Sequence, residues 1–272
     1  MIGIIGQGFV GNAIYQKFKN FYTVKTFDLD KSKCNSTFFE VANCKIVFIC
    51  LPTPMNPDGS CNTSLVEEAI KELTDYISVE IIVIKSTVPP GTTTKLNKKY
   101  RNIAITFNPE FLTERNAVED YNNQNRIILG GNKRATTKLK PIFSKVFPKA
   151  TIIKTDPTHA EMVKYLTNAF LATKVSFANE IYQICHTLKI DYDKVIEHVL
   201  HDERLGKSHW AVPGPDGDFG YGGHCFPKDV RALIKVAEEK TLHPTMLIAT
   251  NTKNEEVRKN KDWEKMKGRA VV

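Results

Sequence analysis

The sequence lacks the features that would place it outside the ordinary globular proteins. It has no apolar run long enough to cross a bilayer, no internal repeat, no low-complexity segment and no Cys-x-x-Cys pair. Residues 1–5 lead straight into a glycine-rich turn, so we predict no signal peptide. With six scattered cysteines and no metal-ligand spacing, the chain is expected to be a reduced cytoplasmic protein without a membrane or metal partner.

Positive charge is in excess, because 38 Lys and Arg residues outnumber 30 Asp and Glu residues and give a net charge of +8. The most basic segment runs over residues 253–269, but four acidic residues interrupt it. Alternating signs are typical of a solvated helix face, which we favour over a phosphate-binding arm. We therefore predict no nucleic-acid partner, although the charge can attract an anionic small molecule.

The first half of the chain alternates short β-rich runs with helical stretches. The predicted strands cover residues 2–5, 24–27, 46–51, 81–85, 103–107, 126–129 and 151–153. Strands separated by helices predict an α/β fold with a Rossmann-like, doubly wound parallel sheet, which we assign to residues 1–156.

The pattern changes after Asp156. Thr158 and Glu161 predict a capping box at the start of a helix that continues to about Leu188. A loop rich in glycine and proline follows over residues 205–223, and a last helix is predicted over about 244–263. Residues 157–272 are therefore expected to form a second, mainly helical domain with one long helix.

A glycine-rich turn follows the first predicted strand and opens a helix. Its sequence is Gly6-Gln7-Gly8-Phe9-Val10-Gly11, and Asp28 ends the second strand twenty positions after Gly8. Such glycines let a pyrophosphate approach, and a carboxylate at the position of Asp28 binds a ribose 2′-hydroxyl, so the pattern favours NAD over NADP. Lys31 and Lys33 follow closely and could hold a 2′-phosphate. The alternative is a turn that merely packs well, with Asp28 as a strand-end cap.

Three further segments lie just beyond predicted strand ends, where open α/β sheets bind ligands. They contain Thr53, Thr87 and the carboxylates Glu110 and Glu114. On the long helix, Lys164 and Asn168 are one turn apart and share a face. Ordinary turn chemistry, surface acids and a solvated helix stripe would explain these residues equally well.

A lone thiol, Cys225, lies in the segment Gly220-Tyr221-Gly222-Gly223-His224-Cys225-Phe226-Pro227-Lys228-Asp229. Glycines allow a substrate to approach the backbone, and Pro227 favours a helix start, so Cys225 would face the positive end of the helix dipole. A thiol there ionises more readily and becomes a nucleophile. The alternative is a cysteine that packs after a flexible turn.

Taken together, these motifs resemble the UDP-glucose/GDP-mannose dehydrogenase family, in which they occur in the same order. The matching residues are Gly6-x-Gly8-x-x-Gly11, Ser86-Thr87-Val88-Pro89-x-Gly91, Asn108-Pro109-Glu110-Phe111-Leu112, Lys164-x-x-x-Asn168 and Gly220-Tyr221-Gly222-Gly223-x-Cys225-x-Pro227-Lys228-Asp229. The resemblance implies a four-electron oxidation of a nucleotide-sugar C6 alcohol, with UDP-glucose the foremost substrate and two NAD molecules used in succession. It also implies that Cys225 carries a thiohemiacetal and then a thioester.

The resemblance assigns further roles residue by residue. It gives Lys164 the stabilisation of oxyanion charge, and it gives Asn168 and Asp229 the positioning of water and the relay of protons. It gives Glu110 a part in thioester hydrolysis, and it counts Thr87 among the catalytic residues. The residues it places against the sugar are Glu110, Phe111, Leu112, Lys164, Asn168 and Gly222. The residues it places near the cofactor are Thr53, Thr87, Glu114, Phe9, Val10 and Lys33. It implies that Arg204 reaches the substrate of a neighbouring subunit, and hence a homodimer or a higher oligomer. Lys228 is expected to be a helix-start charge.

Members of that family continue into a further nucleotide-binding domain, whereas this sequence ends near where such a domain would begin. Three alternatives follow: Ser208, His209 and Trp210 supply contacts to the nucleotide, a partner chain supplies them, or the affinity for the nucleotide sugar is weak. Trp210, however, more readily packs. Two other functions are open. A β-hydroxyacid dehydrogenase shares the dinucleotide fold and the Lys-x-x-x-Asn helix but needs no thiol, and a catalytically silent NAD-binding subunit would assist a partner.

Overall fold

The computed structural model of the chain describes residues 1–272 and divides into two compact units. The first unit comprises Met1–Thr53 and Asn62–Lys164, and the second comprises Pro54–Cys61 and Tyr165–Val272.

The first unit is built on one seven-stranded sheet in the order β2-β1-β3-β4-β5-β6-β7. The strands are β1 (Ile2–Ile5), β2 (Val24–Phe27), β3 (Ile46–Ile49), β4 (Ile81–Ile84), β5 (Ala104–Phe107), β6 (Arg126–Gly130) and β7 (Thr151–Thr155). The predicted doubly wound sheet is confirmed, but β6 runs antiparallel to β5, through Phe107 and Gly130. The sheet is thus mostly parallel, with one antiparallel pair that the sequence did not indicate, because apolar periodicity does not encode strand direction.

Helices cover both faces of this sheet. They are α1 (Phe9–Phe18), α2 (Phe38–Ala42), α3 (Ser64–Leu73), α4 (Thr92–Lys99), α5 (Ala117–Asn123) and α6 (Lys133–Val146). Alternate residues of one strand join different cores: Val47 and Ile49 pack in one cluster, whereas Ile46 and Phe48 pack in the other. Two dry faces explain why the central strands are apolar at every position.

The second unit is mainly helical. It contains α7 (Pro157–Leu188) from Tyr165 onward, and also α8 (Tyr192–Val199), α9 (Phe226–Glu238) and α10 (Thr245–Val257). Its apolar clusters are small, and the largest is formed by Ala178, Cys185, Tyr192, Trp210 and Val212. The last helix ends at Val257, earlier than predicted, and a separate 3-10 turn, Asp262–Lys265, follows. No helix of the chain combines the length and apolar character that a membrane span requires.

The start of α7 differs from the predicted capping box. The side chain of Asp156 accepts a hydrogen bond from the His159 amide at 3.1 Å and caps this helix. Glu161 points elsewhere, because its carboxylate accepts the backbone amides of Gly91 and Thr93 at 2.6 and 2.7 Å, at the start of α4. Glu161 is fully buried, and this burial raises its pKa above the ordinary value.

Candidate active site

The glycine-rich turn at the end of β1 has two kinds of glycine. Gly6 adopts φ +90°, and a side chain on Gly11 would overlap the carbonyl oxygen of Gly6, so the fold itself requires these two glycines. A side chain on Gly8 would meet no atom within 4 Å. Gly8 is also the N-cap of α1, which has no capping side chain. The turn therefore leaves open space beside Gly8 at the start of α1, the kind of helix N-terminus that can bind a diphosphate.

Asp28 lies beside this turn at the end of β2. Its Oδ2 accepts a hydrogen bond from the Gln7 amide at 2.6 Å, and its Oδ1 accepts one from the Asp30 amide at 2.9 Å. The carboxylate is thus fixed at the edge where a ribose would lie. Lys33 is exposed and forms an ion pair with Asp30 at 3.0 Å. Phe9 begins α1 and is half-buried, as is Val10, which follows it.

The ends of β3 and β4 are joined by threonines. The Thr53 hydroxyl donates a hydrogen bond to the Thr87 carbonyl oxygen at 2.8 Å, and both residues are buried. Glu114 lies farther along the loop after β5 and is exposed. The structure therefore fixes the two threonines at the carboxyl ends of neighbouring strands and leaves the Glu114 side chain at the surface.

Glu110 and Lys164 form a buried ion pair. Glu110 Oε1 and Lys164 Nζ are 2.8 Å apart, and Glu110 Oε2 accepts the Leu112 amide at 2.7 Å. Burial alone would raise the pKa of Glu110, but Lys164 and the Leu112 amide hold that pKa below the ordinary value. The Phe111 ring lies under Lys164, with Nζ 5.8 Å from the ring centroid. Glu110 is therefore an anion held in a dry site, which contradicts its interpretation as a surface acid.

In the second unit, Cys225 is the N-cap of α9 and is half-buried. The predicted helix start is confirmed within one residue, because Phe226 is the first helical residue and Pro227 the second. The Asp229 amide donates to the Cys225 carbonyl oxygen at 3.0 Å and closes the first turn. The thiol is thus carried at the positive end of a helix, as a nucleophile requires.

The carboxylate of Asp229 is held from two sides. Asn168 Nδ2 donates to Oδ2 at 2.6 Å, and Lys228 Nζ pairs with Oδ1 at 2.6 Å. All three residues are buried. Burial alone would lower the pKa of Lys228, but the Asp229 carboxylate raises that pKa above the usual lysine value. Lys228 lies at a helix start, as the sequence predicted, and it is there the buried counter-ion of Asp229.

The glycine-rich segment before Cys225 is braced by side chains from α10 and the turn after it. Asn254 accepts the Tyr221 amide at 2.7 Å and donates to the Tyr221 carbonyl at 3.0 Å, and Asp262 Oδ2 accepts the Gly223 amide at 3.0 Å. A side chain on Gly222 would overlap Arg258 and Asp262. A side chain on Gly222 would therefore displace Arg258 or Asp262 from this brace, a reason for glycine besides the approach of substrate.

Arg258 is the centre of this brace. Its side chain is only 2% exposed and pairs with Asp216 at 2.8 Å and with Asp262 at 3.2 Å. Sequence reasoning missed Asn254 and Arg258, because both lie in a segment interpreted as a solvated helix face. Because mixed charges over residues 253–269 predict a solvated face, the inward-pointing Arg258 was not identified. No rule of residue spacing would have identified it either.

Arg204 lies on a loop fixed by its neighbours. Its side chain is 88% exposed, and its Nε donates to Asp202 at 2.9 Å. Lys174 donates to the Leu205 and Gly206 carbonyls at 2.9 Å, and Trp210 donates to the Gly206 carbonyl at the same distance. Trp210 is buried, as the packing interpretation predicted.

The chain matches two family models. One describes the NAD binding domain of the UDP-glucose/GDP-mannose dehydrogenase family and covers residues 24–149, and the other describes the central domain of that family and covers residues 158–256. The chain therefore carries the NAD-binding domain of this family.

Comparisons with individual relatives indicate the same family. A UDP-glucose 6-dehydrogenase from Rickettsia bellii is 34% identical over 251 residues, which cover 89% of this chain and 57% of that protein. The chain thus spans little more than half the length of this relative. The structure of a UDP-glucose dehydrogenase from Pyrobaculum islandicum aligns with a TM-score of 0.85 at 30% identity, over 94% of this chain and 68% of that one.

A third likeness concerns the fold alone. The structure of a 3-hydroxyisobutyrate dehydrogenase from Mycobacterium tuberculosis aligns with a TM-score of 0.72 at 14% identity, over 92% of this chain and 91% of that one. The ranges matched by the family models, by contrast, span the positions of Cys225, Lys164 and Glu110. The chain belongs to the UDP-glucose/GDP-mannose dehydrogenase family.

Proposed function

We propose that this chain is an NAD-dependent dehydrogenase that oxidises the C6 alcohol of a nucleotide sugar, with UDP-glucose the foremost substrate, to the carboxylic acid. The observation that carries the proposal is the thiol of Cys225 at the start of α9, followed within one turn by the buried Asp229 carboxylate. Membership of the family and the relatives named UDP-glucose 6-dehydrogenase support the same substrate.

The first unit would hold the cofactor at the ends of β1 and β2. The open space at Gly8 and the amides of α1 fit a diphosphate, and Asp28 fits a ribose 2′-hydroxyl and disfavours a 2′-phosphate. Thr53, Thr87 and Glu114 follow neighbouring strand ends and would serve the nicotinamide side, and Phe9, Val10 and Lys33 would border the dinucleotide. When bound, NAD accepts one hydride in each of two two-electron oxidations, so each sugar consumes two NAD molecules.

The thiolate of Cys225 would capture the aldehyde formed by the first oxidation. Its sulfur forms a bond to the carbonyl carbon and gives a thiohemiacetal, whose oxygen takes up a proton. The second oxidation removes that proton and a hydride and leaves a thioester. Water then adds, the carbon–sulfur bond breaks, and the thiolate and the acid are released.

The buried ionic groups would support these steps. Lys164 is an ammonium in a dry environment, where it stabilises oxyanion charge most effectively. Glu110 orients Lys164 and assists the hydrolysis, while Phe111, Leu112 and Gly222 contact the sugar. Asn168 and Asp229 would position water and relay protons, and Lys228 forms an ion pair with Asp229.

The decisive measurement counts NADH formed per sugar with this chain and a panel of nucleotide sugars. Two NADH per UDP-glucose, together with UDP-glucuronate by mass spectrometry, support the proposal. One NADH per substrate would indicate a two-electron dehydrogenase, and no NADH with intact NAD binding would indicate a silent NAD-binding subunit. Either of these results rejects the proposal.

The role of the thiol is tested by Cys225→Ala. We expect acid formation to fall by about a thousandfold or more, because the nucleophile is lost while the cofactor site in the first unit is untouched. Cys185→Ala, which also removes a thiol from the second unit, should retain activity and serves as the matched control. Equal activity in the two variants would contradict the thioester route.

We also propose that the chain acts as a homodimer. Five apolar side chains form an exposed stripe along α7, namely Leu166, Phe170, Phe177, Ile184 and Leu188, each 47–65% exposed. Their spacing of four and seven residues places them on one face over about 33 Å of helix. A second copy would bury the same stripe by two-fold symmetry, and Arg204 would then be available to a neighbouring subunit.

Light scattering after gel filtration tests this assembly. The wild-type chain should have twice the mass of one chain, and Phe170→Glu should shift it toward the monomer because the charge would be buried. Glu197→Lys, an exposed change on α8, serves as the control. A monomeric wild type, or a dimer unaffected by Phe170→Glu, would reject the proposal.

A further inference from the structure

Lys85, which directly follows β4, is a buried lysine to which no motif assigned a role. It is only 2% exposed. Its Nζ donates to Asn108 Oδ1 at 2.9 Å and to the Pro109 carbonyl oxygen at 3.3 Å. These two acceptors directly precede Glu110 in the chain. Lys85 therefore contacts the turn from which the Glu110 side chain projects.

The same turn is anchored on its other sides by the sheet. The Asn108 amide donates to the Ile84 carbonyl at 2.9 Å, and Asn108 Nδ2 donates to the Ile128 carbonyl at 2.7 Å. Lys85 thus uses the remaining acceptor of the Asn108 side chain and a carbonyl one residue before Glu110. Without Lys85, both acceptors would be buried and unsatisfied.

Four groups surround the Lys85 ammonium. They are Cys50 after β3, Glu110 after β5, Lys164 on α7, and the ring of Tyr121 on α5, whose centroid is 5.6 Å from Nζ. Burial lowers the pKa of Lys85 to about 8 and raises the pKa of Cys50 to about 12. Burial also raises the pKa of Tyr121, so neither the thiol nor the phenol changes charge near neutrality.

We propose that Lys85 is a positioning residue, which fixes the Asn108–Pro109 turn and thereby orients the Glu110 carboxylate toward Lys164. Lys85 and Lys164 then approach one carboxylate from two sides, the first through the turn and the second directly. The consequence for turnover rests on the function proposed above. The structural relation between Lys85 and Glu110 holds whether or not this chain turns over a sugar.

The experiment follows the carboxyl carbon of Glu110 by NMR in the purified chain labelled with ¹³C-glutamate, with the signal assigned through Glu110→Gln. In the wild type, we expect the Glu110 signal to change with a midpoint near pH 8, as Lys85 loses its charge. Lys85→Met and Lys85→Arg should both abolish this transition, because methionine has no charge and arginine keeps its charge. Lys98→Met, an exposed change in the same unit, should retain it.

These outcomes decide the inference. A transition near pH 8 that persists in either Lys85 variant overturns it, and so does a Glu110 signal in Lys85→Met that equals the wild-type signal at pH 7. If the methionine variant does not fold, the arginine variant carries the test, because it keeps the charge and the donors.

A second readout uses turnover. If the wild type oxidises UDP-glucose, Lys85→Met should lower kcat at least tenfold with unchanged NAD affinity, and Lys85→Arg should restore part of that loss. An unchanged kcat in Lys85→Met would overturn the inference. An inactive wild type would reject the proposed function, and the NMR result alone would then test the positioning role of Lys85.

Discussion

The first unit holds its reactive side chains at the ends of parallel strands, whereas the second unit holds them at a helix start and in a glycine-rich loop. In the first, Glu110 and Lys164 rest on a sheet with a large apolar core on each face. In the second, apolar clusters are small, and a polar brace centred on Arg258 holds the loop before Cys225. The two units thus fix functional groups by different means.

This difference shows what each unit can tolerate. Main-chain hydrogen bonds between strands set the positions at a sheet edge, so a single side chain there mainly affects its own partner. A loop held by side-chain hydrogen bonds depends on every member of the network. We therefore expect single substitutions to act locally in the first unit and to spread along the loop in the second.

The largest effect is expected from a substitution that breaks the buried ion pair of the first unit. Glu110→Ala leaves Lys164 buried without its carboxylate and should lower the free energy of unfolding by about 3–5 kcal/mol. Urea unfolding measures this change. The exposed Glu119→Ala, in the same unit, should stay within about 0.5 kcal/mol of the wild type. Equal stability of the two variants would show that the pair does not hold the strand edge.

The next effect concerns the brace of the second unit. Gly222→Ala pushes a methyl group against Arg258 and Asp262 and should destabilise the chain by about 1–3 kcal/mol. We also expect slower NADH formation, since the loop carries Cys225. The exposed Lys240→Ala, just after α9 in the same unit, is the control. A fully active and stable Gly222→Ala would mean that the brace is dispensable.

In the first unit, a substitution at Gly8 is expected to affect cofactor binding and not stability. Because a side chain there meets no protein atom within 4 Å, Gly8→Ala should keep the fold. It should nevertheless weaken NAD binding by about tenfold or more, since the methyl group would occupy the space for the diphosphate. Calorimetry measures the affinity. Gly11→Ala should instead lose stability, and unchanged NAD affinity in Gly8→Ala would place the diphosphate elsewhere.

The smallest effect is a difference in pH response. The pKa of Glu110 is lowered in the folded state, so its contribution to stability is present above the ordinary value of 4.5 and is lost as the pH falls through the folded-state pKa. The pKa of Lys228 is raised, so its contribution is present below the ordinary value of 10.5 and is lost only as the pH rises through a still higher value.

Thermal unfolding across the pH range tests this contrast. Compared with the wild type, Glu110→Gln should lose less stability in acid, and Lys228→Met should lose less in strong alkali. If either variant follows the wild-type pH profile, the corresponding ion pair does not titrate as the structure implies.

Much of the first unit could be predicted from the sequence. Apolar runs identify the strands, and a parallel sheet brings their carboxyl ends to one edge, so the amino-acid sequence alone assigns Asp28, Thr53, Thr87 and Glu110 to that edge. Strand direction at β6 could not be predicted, because periodicity is the same in both directions. Lys85 was also missed, since a lysine at a strand end gives no sign that it points inward.

The second unit was less predictable for a physical reason. The helix start at Cys225 could be predicted from a local signal, namely Pro227 and the glycines that precede Cys225. The brace is not local, because Asn254 and Arg258 act on a loop more than thirty residues away. Contacts of that separation have no period or spacing, so only the folded chain reveals them.

Glu161 has a further consequence for where anions can go. The Gly91 and Thr93 amides at the start of α4 are occupied by this internal carboxylate, whereas Gly8, the N-cap of α1, has no capping side chain. An external anion such as a diphosphate would therefore find the start of α4 already filled from within. Exclusion of anions from that helix start is thus built into the chain itself.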